Sequence, residues 1–219
     1  MTRDIQAVTF DAGGTLIEPW PSVGHIYSEV AARQGVEKIQ PELLNDRFIA
    51  AWHNRKNFDY TRAEWAAVVD ETFAGLATEL PSRTFFPELY ERFAQPTAWR
   101  IFEDVRPTLT ALATRGVRLG VISNWDERLR PLLNRLGLAD LFEVVTVSCE
   151  AGVTKPDKKI FKNSADKFSL SPDRILHVGD SIREDLEGAK NAGFRALLLL
   201  RRTATTTCDS INTLAEILR

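Results

Sequence analysis

Ala7-Val8-Thr9-Phe10-Asp11-Ala12-Gly13-Gly14-Thr15 decides the fold of this chain. A four-residue β-like run ends directly on a carboxylate, and a glycine loop follows it. Working outward, further β-like runs recur. Val117–Ile122 ends at Ser123-Asn124; then come Phe142–Val147, Ile175–Val178 and Ala196–Leu200. These are near-continuous apolar runs, the pattern of strands covered on both faces. Helices are predicted between them. Arg106–Arg115 ends before Gly116, Glu127–Leu136 before Gly137 and Ile182–Ala192 before Gly193, each glycine suiting a C-terminal cap. Pro156-Asp157 opens Lys158–Phe168, and Asp209 or Ser210 is expected to cap a last helix running to Leu218. Strand alternating with helix predicts an α/β fold, a parallel sheet with helices on both faces.

Residues 19–97 break that alternation. Pro19-Trp20-Pro21 marks the entrance and Gln95-Pro96-Thr97 the exit. Only helices are predicted between them: Val23–Gln34, Pro41–Lys56, Arg62–Ala77 and Phe86–Ala94, with Pro41 and Pro87 at first-turn positions. In the third, Trp65, Val69, Thr72, Phe73 and Leu76 form an apolar stripe, opposed by Glu64, Val68, Glu71 and Gly75. Of the 20 aromatic residues, 13 lie between Trp20 and Trp99, a skew that a single uniform core does not require. The expected division is a discontinuous core, 1–18 with 98–219, and an all-helical insert, 19–97.

Composition narrows the function. The 219 residues carry 28 Lys+Arg against 30 Asp+Glu, a net charge of −2, so no bulk positive charge serves nucleic acid or an anionic membrane. Apolar runs such as Ala196–Leu200 are far too short to span a bilayer, and Met1-Thr2-Arg3-Asp4 is not expected to open a signal peptide. Cys149 and Cys208 stand far apart without a C-x-x-C, which argues against a disulfide framework or zinc site and for a reducing cytoplasm.

In an open parallel sheet, ligands bind at the carboxyl ends of the strands. There the sequence places Asp11 with its glycine loop, Ser123-Asn124, Lys155-Pro156 beyond the third run, and Gly179-Asp180-Ser181 with Asp185. Each has an ordinary reading alone: a helix cap, a turn, a solvated lysine. Together they make a coherent site. Asp11 and Asp180 suit a hard divalent cation such as Mg²⁺. Ser123, Asn124 and the amides of the Gly13-Gly14 loop suit phosphate oxygens, and Lys155 offsets the crowded anions.

Phe10-Asp11-Ala12-Gly13-Gly14-Thr15-Leu16, Ile122-Ser123-Asn124, Lys155-Pro156-Asp157 and Gly179-Asp180-Ser181 with Asp185 resemble the four ordered motifs of the haloacid dehalogenase (HAD) superfamily. The resemblance spans essentially the whole chain. It implies a Rossmann-like three-layer core with a helical cap inserted after the first motif. It implies a Mg²⁺-dependent phosphatase acting on a small phosphorylated metabolite, as a monomer or as a dimer through the aromatic-rich cap. By position, Asp11 would be the nucleophile of an aspartyl intermediate. Ser123 would bond the transferring group, Asn124 would line the entrance on the cap side, and Lys155 would pair with Asp11 and the phosphoryl oxygens. Asp11, Asp180 and the Gly13 carbonyl would ligate the metal, with Asp185 ligating or orienting a bound water; Thr15 would position the loop.

One position departs from the pattern. Phosphatases of this family carry a second Asp two residues after the nucleophile, as proton donor to the leaving alcohol; here that residue is Gly13. General acid–base help is worth roughly 10²–10⁴-fold. Three readings follow. The first is a phosphatase that is slow, prefers a good leaving group, or borrows an acid such as His25, His53 or Glu18. The second is a dehalogenase or a phosphonatase, the latter needing a cap lysine, Lys38 or Lys56. The third is a non-enzymatic regulatory protein. Trp125 reads either as a lid on the substrate mouth or as edge packing, Cys149 as a small buried side chain, His177 as a satisfied core histidine, and Arg201-Arg202 as a solvated pair.

Overall fold

A computed structural model describes residues 4–36, 39–55, 58–201 and 208–218. Lys38, Lys56, Arg202 and the Thr203–Thr207 loop lie outside the described residues. The chain divides into two compact units, Met1–Ile17 with Ile101–Arg219, and Glu18–Arg100.

The first unit is built on a parallel sheet of six strands in the order β5-β4-β1-β6-β7-β8. The strands are β1 (Ala7–Phe10), β4 (Arg118–Ser123), β5 (Val144–Val147), β6 (Ile175–Gly179), β7 (Arg195–Leu199) and β8 (Ser210–Ile211). The alternation in the sequence specifies the first five, and every residue of β1 is buried, as its central place demands. Its register sets Thr9 between Gly120 and His177, and Phe10 between Val121 and Val178. Helices α5 (Val105–Thr114), α6 (Leu129–Arg135) and α8 (Lys158–Phe168) join the strands. Asp157 caps α8 by accepting from the Lys159 amide at 2.9 Å. Ile160, Phe161, Ala165 and Phe168 of α8 bury one helical face in a core with Ile122, Val144 and Ile175.

Three elements differ from the sequence expectation. The C-terminal helix is instead β8 followed by a 3₁₀ turn, Leu214–Leu218. The edge of β7 offers unpaired backbone groups, and the chain pairs with them: Leu198 N–H donates to Asp209 O and Leu200 N–H to Ile211 O, both at 2.8 Å. The segment Ile182–Ala192 is not one α-helix. A π-helical turn, Ile182–Glu187, precedes α9 (Gly188–Asn191), with Leu186 N–H bonded five residues back to Ser181 O at 3.1 Å. A short four-residue helix, α7 (Ser148–Ala151), follows β5.

The two strands β2 (Ile17–Pro19) and β3 (Trp99–Ile101) pair with each other. At three residues each they are too short to show periodicity. Between them the second unit is helical: α1 (Val23–Arg33), α2 (Pro41–His53), α3 (Arg62–Thr72) and α4 (Phe86–Arg92). Ser22 and Thr61 cap α1 and α3 through their hydroxyls. This unit has its own core of Ile26, Tyr27, Val30, Leu44, Val69, Phe73, Phe85, Phe86 and Leu89. Tyr27 stacks on Phe73 at 5.8 Å, and Phe85 meets Phe73 edge-on at 5.1 Å. The aromatic skew of the sequence is therefore a second core. Val68, assigned to the polar stripe, is buried with Val69.

Candidate active site

Adjacent parallel strands bring their carboxyl ends to one sheet edge, so β4, β1 and β6 set Ser123, Asp11 and Asp180 there together. Lys155 arrives on the loop between α7 and α8. Its Nζ lies 2.6 Å from Asp11 Oδ1 and 2.5 Å from Asp185 Oδ1, and Ser123 Oγ donates to the same Asp11 oxygen at 2.9 Å. Asp11, Lys155 and Asp185 are 8%, 3% and 1% exposed, so these charges interact with little water between them. Burial opposes a charged Lys155, but Asp11 and Asp185 outweigh it and raise its pKa. Burial likewise raises the Asp11 carboxyl, against the opposing pull of Lys155. Asp185 is also buried, yet Lys155 and His177 hold it well below the usual carboxylate range. Among the described residues, the bonds to Asp11 go to Oδ1, which leaves Oδ2 open to other partners.

Asp185 is expected from the sequence as a metal ligand or water-orienting group; the structure shows that it also braces Lys155. Its Oδ1 takes Lys155 and the ring of His177 (3.0 Å), and its Oδ2 accepts from the Ser181 amide at 3.0 Å. Each oxygen has a partner inside the protein, and through Oδ1 Asp185 holds the lysine. Gly179 makes the room: a Cβ there would fall 2.2 Å from the Asp185 carboxyl carbon. His177 lies two residues earlier on the same face of β6. It is fully buried and bonded to Thr9 Oγ1 at 2.9 Å through Nδ1, so it is satisfied, as expected, but it also supports the site. Burial lowers its pKa.

Asn124, expected to line the substrate entrance, is placed as a clamp. Its Oδ1 accepts from the Lys155 amide at 2.7 Å, and its Nδ2 donates to Lys155 O and to Glu184 Oε2, both at 3.0 Å. This fixes both backbone polar groups of Lys155. Glu184 carries no motif signal in the sequence; burial raises its pKa, and it shares the field of Lys155, Asp11 and Asp185.

Asp180 is solvent-accessible but flanked by protein. That partial desolvation and the negative charges of Asp11 and Asp185 push its carboxyl up to about 7. Among the described ion pairs of this cluster, none reaches Asp180. An uncompensated carboxylate beside Asp11 is an oxygen-rich place for a hard cation. No group of three His, Cys, Asp or Glu side chains forms a metal shell among the described residues. Two carboxylates with a backbone carbonyl and waters suit Mg²⁺, which keeps several of its waters.

The loop between them also departs from expectation. The Gly14 amide donates to Ile17 O at 2.8 Å, which takes it from any phosphate. Gly14 supplies space instead: its φ is +76°, and a Cβ would fall 2.2 Å from Asp180 Oδ2. Thr15 does sit in a braced loop, through its carbonyl, which accepts from Arg201 at 2.7 Å. Arg201 also pairs with Asp104 and lies over Phe102, so it is a structural brace and not a solvated residue. Its position just beyond β7 carries no local signal of that role. Over Gly13 stands the six-membered ring of Trp125.

The acids considered as substitutes for the second Asp are engaged within the helical unit. Glu18 pairs with Arg100, and His25 bonds Ser22 Oγ at 2.8 Å. His53 is exposed at the end of α2. Cys149 is exposed, not buried: it falls in the first turn of α7, where the chain has left the sheet.

Comparison with known proteins identifies the family and the fold. The model of the haloacid dehalogenase-like hydrolases matches residues 5–193. Haloacid dehalogenase-like hydrolase domain-containing protein 3 of Homo sapiens is 32% identical over 207 residues, 90% of this chain and 82% of that protein. Glyceraldehyde 3-phosphate phosphatase of Methanothermobacter thermautotrophicus is 38% identical over 106 residues, 46% of this chain and 45% of that protein. A HAD phosphatase structure from Thermococcus onnurineus has 26% identity and a TM-score of 0.70, covering 97% of this chain and 96% of that one. A 2-haloacid dehalogenase from Pseudomonas syringae also shares the fold. With the strand-end carboxylates, lysine and serine assembled on a parallel sheet and the family model spanning most of the sequence, the chain belongs to the haloacid dehalogenase-like hydrolases.

Proposed function

We propose that this hydrolase is a Mg²⁺-dependent phosphatase of a small phosphorylated metabolite. The observation that carries the reading is Asp180, an uncompensated carboxylate packed against the Asp11 loop. Displacing a halide needs no cation to receive a phosphate, so a dehalogenase would gain nothing from this carboxylate. The phosphatase names of two relatives point the same way.

Asp11 is the nucleophile. A carboxylate oxygen attacks phosphorus, the bond from phosphorus to the leaving oxygen breaks, and an aspartyl phosphate forms. Lys155 favours the ionised form of Asp11 against the effect of burial, and with Ser123 it binds the phosphoryl oxygens; the amides of Ala12 and Gly13 are the loop donors left for them. Asp185, His177 and Asn124 hold Lys155 in place. Asp11, Asp180 and the Gly13 carbonyl would hold Mg²⁺, which neutralises phosphate charge when bound. Water then displaces phosphate and restores Asp11. Substrate selection falls to the helical unit. No helix among the described residues is long and apolar enough to cross a membrane, and the two free cysteines accord with a cytoplasmic setting.

Incubation with p-nitrophenyl phosphate tests the reading. Phosphate should be released with Mg²⁺ and not after chelation; release of halide from a 2-haloacid without metal, and of no phosphate, would refute it. A second expectation concerns stability. The Asp180 pKa is raised in the folded state, so without metal the fold loses stability as pH rises from about 4 towards 7. After solvent screening the loss is of order 1 kcal/mol, or about 2–4 °C in Tm. Mg²⁺ binds the ionised form, so its stabilisation should be greater at pH 8 than at pH 5. Thermal melts with and without Mg²⁺ at the two pH values check this.

A further inference from the structure

We propose that Trp125 and Gly13 form a matched pair that restricts this enzyme to phosphates with acidic, planar leaving groups, the aryl and acyl phosphates. The inference rests on the phosphatase reading. A Cβ built on Gly13 would lie 3.1 Å from Trp125 Cζ3 and 3.8 Å from Cη2. The first is closer than ordinary carbon contact, so any side chain at residue 13 must displace the indole.

The backbone from which the indole projects is tied down. Trp125 N–H donates to Ser148 Oγ at 3.0 Å, and Trp125 O accepts from Ser148 Oγ at 3.0 Å and from the Cys149 amide at 3.3 Å. On one side Asn124 clamps Lys155; on the other, Asp126 is buried and paired with Arg128. The space beside Gly13, two residues after the nucleophile, is thus held by an aromatic ring with no proton to give.

The chemistry follows from that wall. When Asp11 attacks phosphorus, the breaking bond leaves its electron pair on the leaving oxygen. With no proton supplied there, the group departs as an anion. An alkoxide is strongly basic and would be poorly solvated against an indole. An aryloxide or carboxylate delocalises its charge, and its flat face can stack on the ring. Water then attacks phosphorus, the bond to Asp11 breaks, the carboxylate returns, and one water proton passes to the phosphate or to solvent.

The test combines rates and melts. With Mg²⁺, p-nitrophenyl and acetyl phosphate should exceed ethyl phosphate in kcat/KM by at least about 10²–10⁴-fold, the value of a missing general acid. Gly13→Asp with Trp125→Ala should narrow that gap at least about tenfold, because it restores an acid and the space for it. Trp125→Phe should keep the gap. Independently of activity, Gly13→Ala should lower Tm when Trp125 is present and leave it unchanged in the Trp125→Ala background. Ethyl phosphate turned over as fast as the aryl ester overturns the proposal, as does a Gly13→Ala penalty that persists without Trp125. If Glu184→Gln widens the gap, Glu184 supplies the proton and the proposal falls. No release from any phosphate refutes the phosphatase reading itself, whatever the melts show.

Discussion

Replacing Asp11 with asparagine should reduce phosphate release at least about 10⁴-fold, because an amide cannot serve as the carboxylate nucleophile. The variant should remain folded and should melt at or above the wild-type temperature. Burial raises the Asp11 pKa, so its ionised form is held at a cost to the fold. Lys155 retains Asp185 at 2.5 Å, and Ser123 can still donate to the carbonyl oxygen of the introduced amide. Loss of activity with preserved or increased Tm is the signature of a strained functional group. A variant as active as wild type would remove Asp11 from the mechanism; one that fails to fold would show that Asp11 is structural.

Lys155→Met should have the largest effect on stability. Among the described residues, Lys155 is the cation paired with both Asp11 and Asp185. Removing it leaves two carboxylates in the interior, and breaking such a pair costs about 3–5 kcal/mol, or roughly 6–20 °C for a chain of this size. The pH dependence should reverse as well. In the wild type, the lowered pKa of Asp185 contributes stability that is present above about 4 and is lost as pH falls below it. Without the lysine the carboxylates favour protonation, so the variant should gain stability as pH falls from 7 to 5. Denaturant unfolding at the two pH values measures both effects. A loss under 1 kcal/mol with an unchanged pH profile would mean that the cluster is not held by this charge.

The positions of Asp11, Ser123, Lys155 and Asp180 were legible because strand ends are legible. Apolar runs mark the strands, their alternation with helices makes the sheet parallel, and a parallel sheet gathers its carboxyl ends on one edge. How each residue is used was less legible. Asn124 and Asp185 read as ligands for substrate and metal, and the structure adds that both hold Lys155. Side-chain hydrogen bonds cross 31 residues in one case and 30 in the other, and no local spacing encodes them. Glu184 and Arg201 were invisible for the same reason. His177 could have been found, since it shares a strand face with Gly179, where a missing side chain admits Asp185. In place of the expected α-helix ending at Leu218 the chain forms β8 and a 3₁₀ turn, because a free sheet edge outweighs helical propensity.

By itself, the sequence determined a parallel α/β core with a helical insert, the order of four strand-end motifs, and the lack of an acid at residue 13. These depend on periodicity and residue identity, which are properties of the chain read locally. Tertiary structure alone decided that Gly14 makes room for Asp180, that Gly179 makes room for Asp185, and that Trp125 fills the space over Gly13. Each depends on atoms from distant segments meeting within about 4 Å, which only the packed fold specifies.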